Sequence, residues 1–441
     1  MLTKFLFTKI DNNALIVFRV IFGLLIFLES VGAILTGWVR DTLVNPKFTF
    51  NFIGLDFLQP LAGNGMYYYF AIMGLLGFFV MIGYRYRFSI SAFTLMWAGV
   101  YFMQKASYNN HYYLLLLLCL IMMCLPAHRY LSIDVKRRPE QKRVWMYSWC
   151  KWLIVFQLFV VYTYAAIAKL YPGWLDLSFL KVLMGSKQHY PIVGSLLQNK
   201  SLHWFLMSSG IVFDFLIIPL LLIKSTRKWA FVAAVVFHLF NSVIFQIGIF
   251  PYMSLALCLF FFEPATIRKI FLKHKPLYTD GQVEKPSYHK VVAVLIGLYV
   301  IIQIVLPIRH LFIPEPVLWT EEGHRMSWRM MLRSKAGIID FKVLNHHTKE
   351  QLSVDLNEHL SVKQRRVIGS KPDMIWQFAQ RLKEQYKEQG HEVSVFATHS
   401  RVSINGGPWR DFVKPDVDLA AQPWHYFGHQ PWIFPYKKAS K

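Results

Sequence analysis

Nine apolar runs set the limits on this chain, at residues 14–35, 66–84, 88–103, 108–125, 149–170, 204–223, 229–245, 248–262 and 291–306. Runs of this kind predict a polytopic α-helical membrane protein with about nine crossings, because a backbone in lipid must satisfy its own hydrogen bonds. Several runs fall short of the roughly 20 residues that a perpendicular helix needs, which predicts tilted, thinned or partly re-entrant elements. Pro251, just after Gly248, marks the break between two of them. The chain is 55% hydrophobic and 17% charged, whereas a soluble domain has about 45–50% apolar and about 25% charged residues. The first run follows a short N-terminus and is too long for the apolar part of a secretory signal, so no cleavable signal peptide is expected.

The net charge of +23 would point to nucleic acid in a soluble chain, but here the cations have another address. Arg85 and Arg87 follow the second run, and Arg129, Lys136, Arg137, Arg138, Lys142 and Arg143 follow the fourth. Lys224, Arg227 and Lys228 follow the sixth, and Arg268, Lys269, Lys273, Lys275, Lys285 and Lys290 precede the ninth. These are alternate loops, so the excess of Lys and Arg places them on the cytoplasmic side, with the N-terminus inside and the tail from about Arg309 outside. The basic charge then serves topology and contact with anionic membrane lipid, and no nucleic-acid partner is expected. Cys119, Cys124, Cys150 and Cys258 all lie in or beside apolar runs, so no disulfide framework is expected in the tail.

Two parts are expected: a helical transmembrane catalytic domain over residues 1–308 and a small β-rich exported domain over residues 309–441. In the second, residues 337–345, 392–398 and 401–404 read as strands and Asn405-Gly406-Gly407 as a turn. Residues 372–389 read as an amphipathic helix with Ile375, Phe378, Ala379, Leu382 and Tyr386 on one face.

Polar side chains inside the apolar runs are the candidate site residues. Lys169 ends the fifth run with no acid in that run to pair with it, so it either reaches the interface or works as a neutral base. His238 and Asn241 are three apart on one helical face, either as interhelical polar glue or as ligand-binding groups. Asn109, Asn110 and His111 open the fourth run, either capping its helix or donating hydrogen bonds to an anionic group. Arg19 and Glu29 in the first run and Asp214 in the sixth are further intramembrane charges; Arg19 reads as a structural partner for an acid on another helix, and Asp214 has no visible partner. No phosphate-binding glycine loop, nucleophile elbow or metal-site motif occurs, and no metal is expected.

Several blocks bring these residues together. They are Phe18-Arg19-Val20-Ile21-Phe22-Gly23, Lys105-Ala106-Ser107-Tyr108-Asn109-Asn110-His111-Tyr112-Tyr113-Leu114, Ala166-Ile167-Ala168-Lys169-Leu170 with Trp174, and Phe237-His238-Leu239-Phe240-Asn241-Ser242 with Gly248-Ile249-Phe250. Glu322-Gly323-His324-Arg325-Met326-Ser327-Trp328-Arg329-Met330-Met331, Pro372-Asp373-Met374-Ile375 and Pro415-Asp416-Val417-Asp418-Leu419-Ala420 follow in the tail. With these blocks in this order the chain resembles the vitamin K-dependent γ-carboxylase family and its bacterial relatives that share the HTTM (horizontally transferred transmembrane) domain.

The resemblance implies a membrane carboxylase. An intramembrane lysine deprotonates vitamin K hydroquinone, oxygen turns the anion into a strong base, and that base removes a γ-proton from a substrate glutamate, which then captures carbon dioxide. The family's base falls on Lys169 and its Asn-His pair on Asn110 and His111; His238 and Asn241 join them as substrate- or quinone-binding groups. The implied cofactors are the reduced naphthoquinone, O2 and CO2, and the implied partner is a glutamate-containing peptide or protein. A bacterial plasma membrane is the implied location. Ala168-Lys169 stands where animal enzymes commonly show two lysines, Arg329 stands where they carry an acid, and the chain is shorter than theirs. The alternatives are a quinone epoxidase without carboxylation and a non-enzymatic, proton-coupled transporter.

Overall fold

The computed structural model describes residues 2–436, so the last residues of the expected 309–441 domain lie outside the described residues. All nine apolar runs are helical: α1 (Asn13–Leu35), α2 (Gly65–Ile82), α3 (Tyr86–Met103), α4 (Asn110–Cys124), α5 (Ser148–Lys169), α6 (Lys200–Leu222), α7 (Arg227–Phe245), α8 (Phe250–Leu257) and α9 (His289–Ile308). Among the described residues six helices, α1, α2, α5, α6, α7 and α9, are long and apolar enough to cross a membrane. Of the others, α4 has 15 residues and α8 has 8, while α3 has 18 but carries Arg87, Ser89, Ser91 and Thr94. The expected nine crossings are therefore six by length and apolarity.

Local chemistry fixes the helix ends. The Asn109 side chain accepts the backbone N–H of Tyr112 at 2.7 Å and caps α4. Gly83 stops α2 at a φ of +66°, and the Asp134 carboxylate takes the backbone N–H groups of Arg85 and Tyr86 at the start of α3. Helices α1 and α2 touch backbone to backbone, which requires glycine: a Cβ on Gly23 would sit 2.3 Å from the Met81 nitrogen, and one on Gly77 2.8 Å from that of Phe27. Arg19 is buried on α1, but its contacts are not the expected acid. Its guanidinium donates to the carbonyls of Ala127, Tyr130 and Leu131, a loop whose C=O groups accept from the cation.

Two ends of the bundle are distinct. At one, strand β1 (Lys9–Asp11) pairs with β2 (Trp145–Tyr147), and Lys275 reaches the buried Asp11 at 3.2 Å. This gathers the N-terminal segment, the entry to α5 and the approach to α9, which are the basic stretches. At the other end lies a four-stranded antiparallel sheet in the order β4 (Gln351–Ser353), β3 (Lys335–Asn345), β5 (Val393–Ile404), β6 (Arg410–Asp411). Helix α10 (Pro372–Glu388) lays Ile375, Phe378, Ala379 and Leu382 on that sheet in a core of its own. The strands expected at 392–398 and 401–404 are one strand. Its ladder steps from Ile338–Arg401 to Asp340–Thr398, so His399 (φ +48°) and Ser400 form a bulge opposite Ile339 rather than a break.

The sheet region docks on the bundle through polar contacts. Asp373, at the start of α10, takes Lys105 at 2.9 Å and Arg325, while Gln377 donates to Asn51 at 2.8 Å and Lys363 to Thr42 at 3.0 Å. Three separate sequence blocks, those holding Lys105, Arg325 and Asp373, thus meet at one buried contact.

Candidate active site

Lys169 is the last residue of α5, where Pro172 and Gly173 follow and the helix cannot continue. It does not snorkel to water: it is 8% exposed, and its ammonium forms an ion pair with Asp214 on α6, itself 5% exposed. The amine also contacts the Ala165 carbonyl at 3.5 Å and lies 5.5 Å from the Trp174 ring centre. The expectation of an unpaired lysine is corrected here, and Asp214 gains its partner. The reason is electrostatic, since a lone charge in a low-dielectric bundle is far costlier than a contacting pair.

This pair forms one wall of a cavity of ≈ 130 Å³ whose remaining lining is largely aromatic and apolar: Trp174, Phe237, Phe240, Phe245, Phe250, Met330 and Met331, with His111 and Asn241 as further polar members. Lys169, His111 and Asn241 therefore share one cavity, and Asp214 joins them. Met330 and Met331 come from the segment before β3, so the C-terminal region closes part of the membrane site. That segment is conformationally unusual, with Glu321, Met326, Trp328 and Met331 all at positive φ without being glycine.

The other two expected residues sit elsewhere. His238 is 1% exposed and bonds through Nε2 to the Tyr162 hydroxyl at 2.9 Å, behind the Phe237 and Phe250 side chains. Its Nδ1 has no hydrogen-bond partner. Asn110 is not on the cavity: its oxygen accepts from Tyr108 at 2.9 Å and its amide donates to the Arg329 carbonyl at 3.3 Å. In this arrangement Asn110 ties the start of α4 to the segment carrying Met330 and Met331. Asn109, one residue earlier, takes the capping duty, which leaves Asn110 free to make it.

A second space of ≈ 590 Å³ adjoins the first and shares three lining residues with it, His111, Ile247 and Phe250. The His111 and Phe250 rings stack with centres 4.1 Å apart and form the partition.

The bundle matches the family description "HTTM domain" over residues 7–265, and the remainder matches "Vitamin K-dependent gamma-carboxylase, lumenal domain" over residues 288–439. The chain belongs to the vitamin K-dependent gamma-carboxylase family. It is accordingly a membrane protein carrying a lumenal-type domain, and no solved structure matches it.

A carboxylase of this family would need a place for a reduced naphthoquinone, and the donor set fits one. A planar apolar ring suits the phenylalanine walls, and its hydroxyls suit Lys169 and the Asn241 amide. The smaller cavity is below the roughly 300 Å³ at which ligand pockets begin.

Sequence reasoning missed Asp214 as the partner of Lys169. A signal was present: a base without an acid on one helix and an acid without a base on another are each costly alone, and pairing them removes both costs.

Proposed function

We propose that this chain is a membrane carboxylase that couples oxygen-dependent epoxidation of vitamin K hydroquinone to γ-carboxylation of glutamyl residues. The observation that carries it is the Lys169–Asp214 pair on the wall of an aromatic cavity in a member of this family. The reduced quinone supplies the reducing equivalents for oxygen and, through them, the base that acts on glutamate.

The protein's own part is proton handling and exclusion of water. An ammonium beside a carboxylate holds the same number of protons as an amine beside a carboxylic acid. When Asp214 holds the proton, the Lys169 amine is free to accept another from a hydroxyl placed against it, and the resulting ammonium stabilises the neighbouring anion by contact. Asn241 donates a hydrogen bond to a ring oxygen and so fixes the ring's rotation. Phe237, Phe240, Phe245, Met330 and Met331 keep bulk water from the strong base that follows. His238 and Tyr162 form the layer behind these walls and orient Phe237 and Phe250.

In this reading the C-terminal region lies outside a bacterial plasma membrane and the N-terminus faces the cytoplasm. The basic loops gathered at the far end of the bundle support that orientation. A glutamate-containing peptide reaches the cavity from the C-terminal side. The test is incubation of the purified full chain with reduced vitamin K, oxygen, a glutamyl peptide and labelled bicarbonate. Epoxide together with fixed label is the expected result. Epoxide without label selects a quinone epoxidase, and neither product rejects the reading.

A further inference from the structure

Glu29 is an acid in the second-last turn of a membrane helix that the reaction above does not use. It lines the larger space, where the Tyr112 hydroxyl lies within hydrogen-bonding reach of it. Among the described lining residues Asn109, Gln246 and His111 are the other main polar groups, and no further charged side chain faces Glu29. Gly248, at φ +58°, brings backbone close: a Cβ there would stand 3.8 Å from the Glu29 carboxylate. At ≈ 590 Å³, with Glu29, Thr36, Asn109, His111, Tyr112 and Gln246 on its lining, this space has room and partners for water, which needs about 30 Å³ a molecule and two to four polar contacts. Its rim residues Thr36 and Gln246 are exposed, at the end of the bundle that bears the C-terminal region. One titratable side chain borders both spaces, and it is His111.

Proton bookkeeping for the proposed reaction shows why such a path is needed; the inference rests on that reading of Lys169. The hydroquinone brings two hydroxyl hydrogens and the glutamyl side chain one γ-hydrogen. Product water keeps two of the three. The third stays as the proton that Lys169 accepted, and it must leave before the next turnover. Epoxidation without a glutamyl substrate has no such surplus, because both hydroxyl hydrogens end in water.

We propose that Glu29 and His111 form the exit for that proton, leading from the Lys169–Asp214 pair to the water on the C-terminal side. An N–H bond of the Lys169 ammonium breaks as an N–H bond forms on the His111 imidazole. The imidazolium then passes a proton to the Glu29 carboxylate, forming an O–H bond, and the acid releases it to water along the polar rim. All three groups return to their starting state, and no redox partner is consumed.

The test uses Glu29→Gln, which keeps an acceptor for the Tyr112 hydroxyl but cannot take a proton, with Glu29→Asp as the conservative variant. In the purified full chain, peptide-coupled turnover of Glu29→Gln should fall about a hundredfold, within the range for loss of a proton-transfer group. Peptide-free epoxidation should fall far less, and Glu29→Asp should restore most of the coupled rate. A second readout needs no turnover. Infrared titration of the ligand-free protein should show a carboxylic acid band that disappears as the pH rises and is missing in Glu29→Gln. Equal losses with and without peptide, no loss at all, no titrating band, or no coupled turnover in the wild type would each overturn the exit. Failure of the Lys169 reading is separately visible, as epoxidation that survives Lys169→Ala whatever is done at Glu29.

Discussion

Asp214 changes what Lys169 can do. In the proposed reaction, a carboxylate in contact with the amine stores the proton that the amine must lose before it can act, so the pair would be the working base. Asp214→Asn preserves the shape and a hydrogen-bond acceptor but removes that store. Its turnover in hydroquinone epoxidation should fall at least about tenfold, the hydroquinone KM should change little, and the pH profile should change form. Unchanged kcat and profile would reduce Asp214 to an anchor for the lysine. At this scale the sequence was informative about types of residue and silent about pairs. Lys169 and Asp214 are 45 positions apart on different helices, and nothing in periodicity joins them. His111 and Asn241 were legible as polar groups facing inward, whereas Asn110 turns to the Arg329 carbonyl because its neighbour Asn109 has already filled the capping position.

Among the elements, the first two helices depend most visibly on small residues. Gly23 meets the Met81 backbone and Gly77 meets that of Phe27, so a larger side chain must push α1 and α2 apart. Gly23→Leu should destabilise the bundle by about 1–3 kcal/mol or more, lowering the detergent melting temperature. The same change at Gly297, where an added Cβ meets nothing, should have little effect. Equal melting temperatures for the two variants would contradict the close approach. The apolar runs announced every membrane helix, since length and hydropathy act locally. They did not settle the number of crossings, because α4 and α8 are apolar but too short to be judged apart from their neighbours. In the sheet, the turn-like composition around His399 suggested a break, and pairing with β3 turned it into a bulge. Tertiary hydrogen bonds outweighed local preference there.

For the whole molecule, the decisive feature is the docking of the sheet region on the bundle, since it supplies Met330 and Met331 to the cavity. Buried acids hold the C-terminal region together, and one of them, Asp373, also reaches Lys105 of the bundle. Burial alone would raise the pKa of Glu321, but Arg333, Lys371 and Lys335 outweigh it and hold the group well below the ordinary carboxylate range. Asp373 is likewise pushed up by burial and held down more strongly by Arg325 and Lys105. Unfolding of the C-terminal region returns both acids to about pH 4, so the folded region binds fewer protons below that point. Their stabilisation is complete above about pH 4 and is lost as the pH falls from there toward the folded values. Near-ultraviolet circular dichroism of the C-terminal tryptophans should therefore collapse below about pH 4 while the helical signal of the bundle persists. A collapse near neutral pH would contradict this assignment. The division into an apolar bundle and a sheet-bearing tail could be read from hydropathy, but their joint closure over one cavity could not, because it rests on contacts between residues hundreds of positions apart.

The central claim is that Lys169, poised by Asp214, is the base for the reduced quinone. The most direct measurement is epoxide formation by purified Lys169→Ala with vitamin K hydroquinone and oxygen, alongside wild type. Removing the lysine leaves Asp214 buried without a cation, so folding is checked by melting temperature and by a Lys169→Ala/Asp214→Asn double variant in which no charge is stranded. The account predicts that both variants fold and that epoxide formation falls about a hundred- to ten-thousand-fold, with partial recovery on adding a small amine. Wild-type epoxidation in a folded Lys169→Ala protein would contradict it.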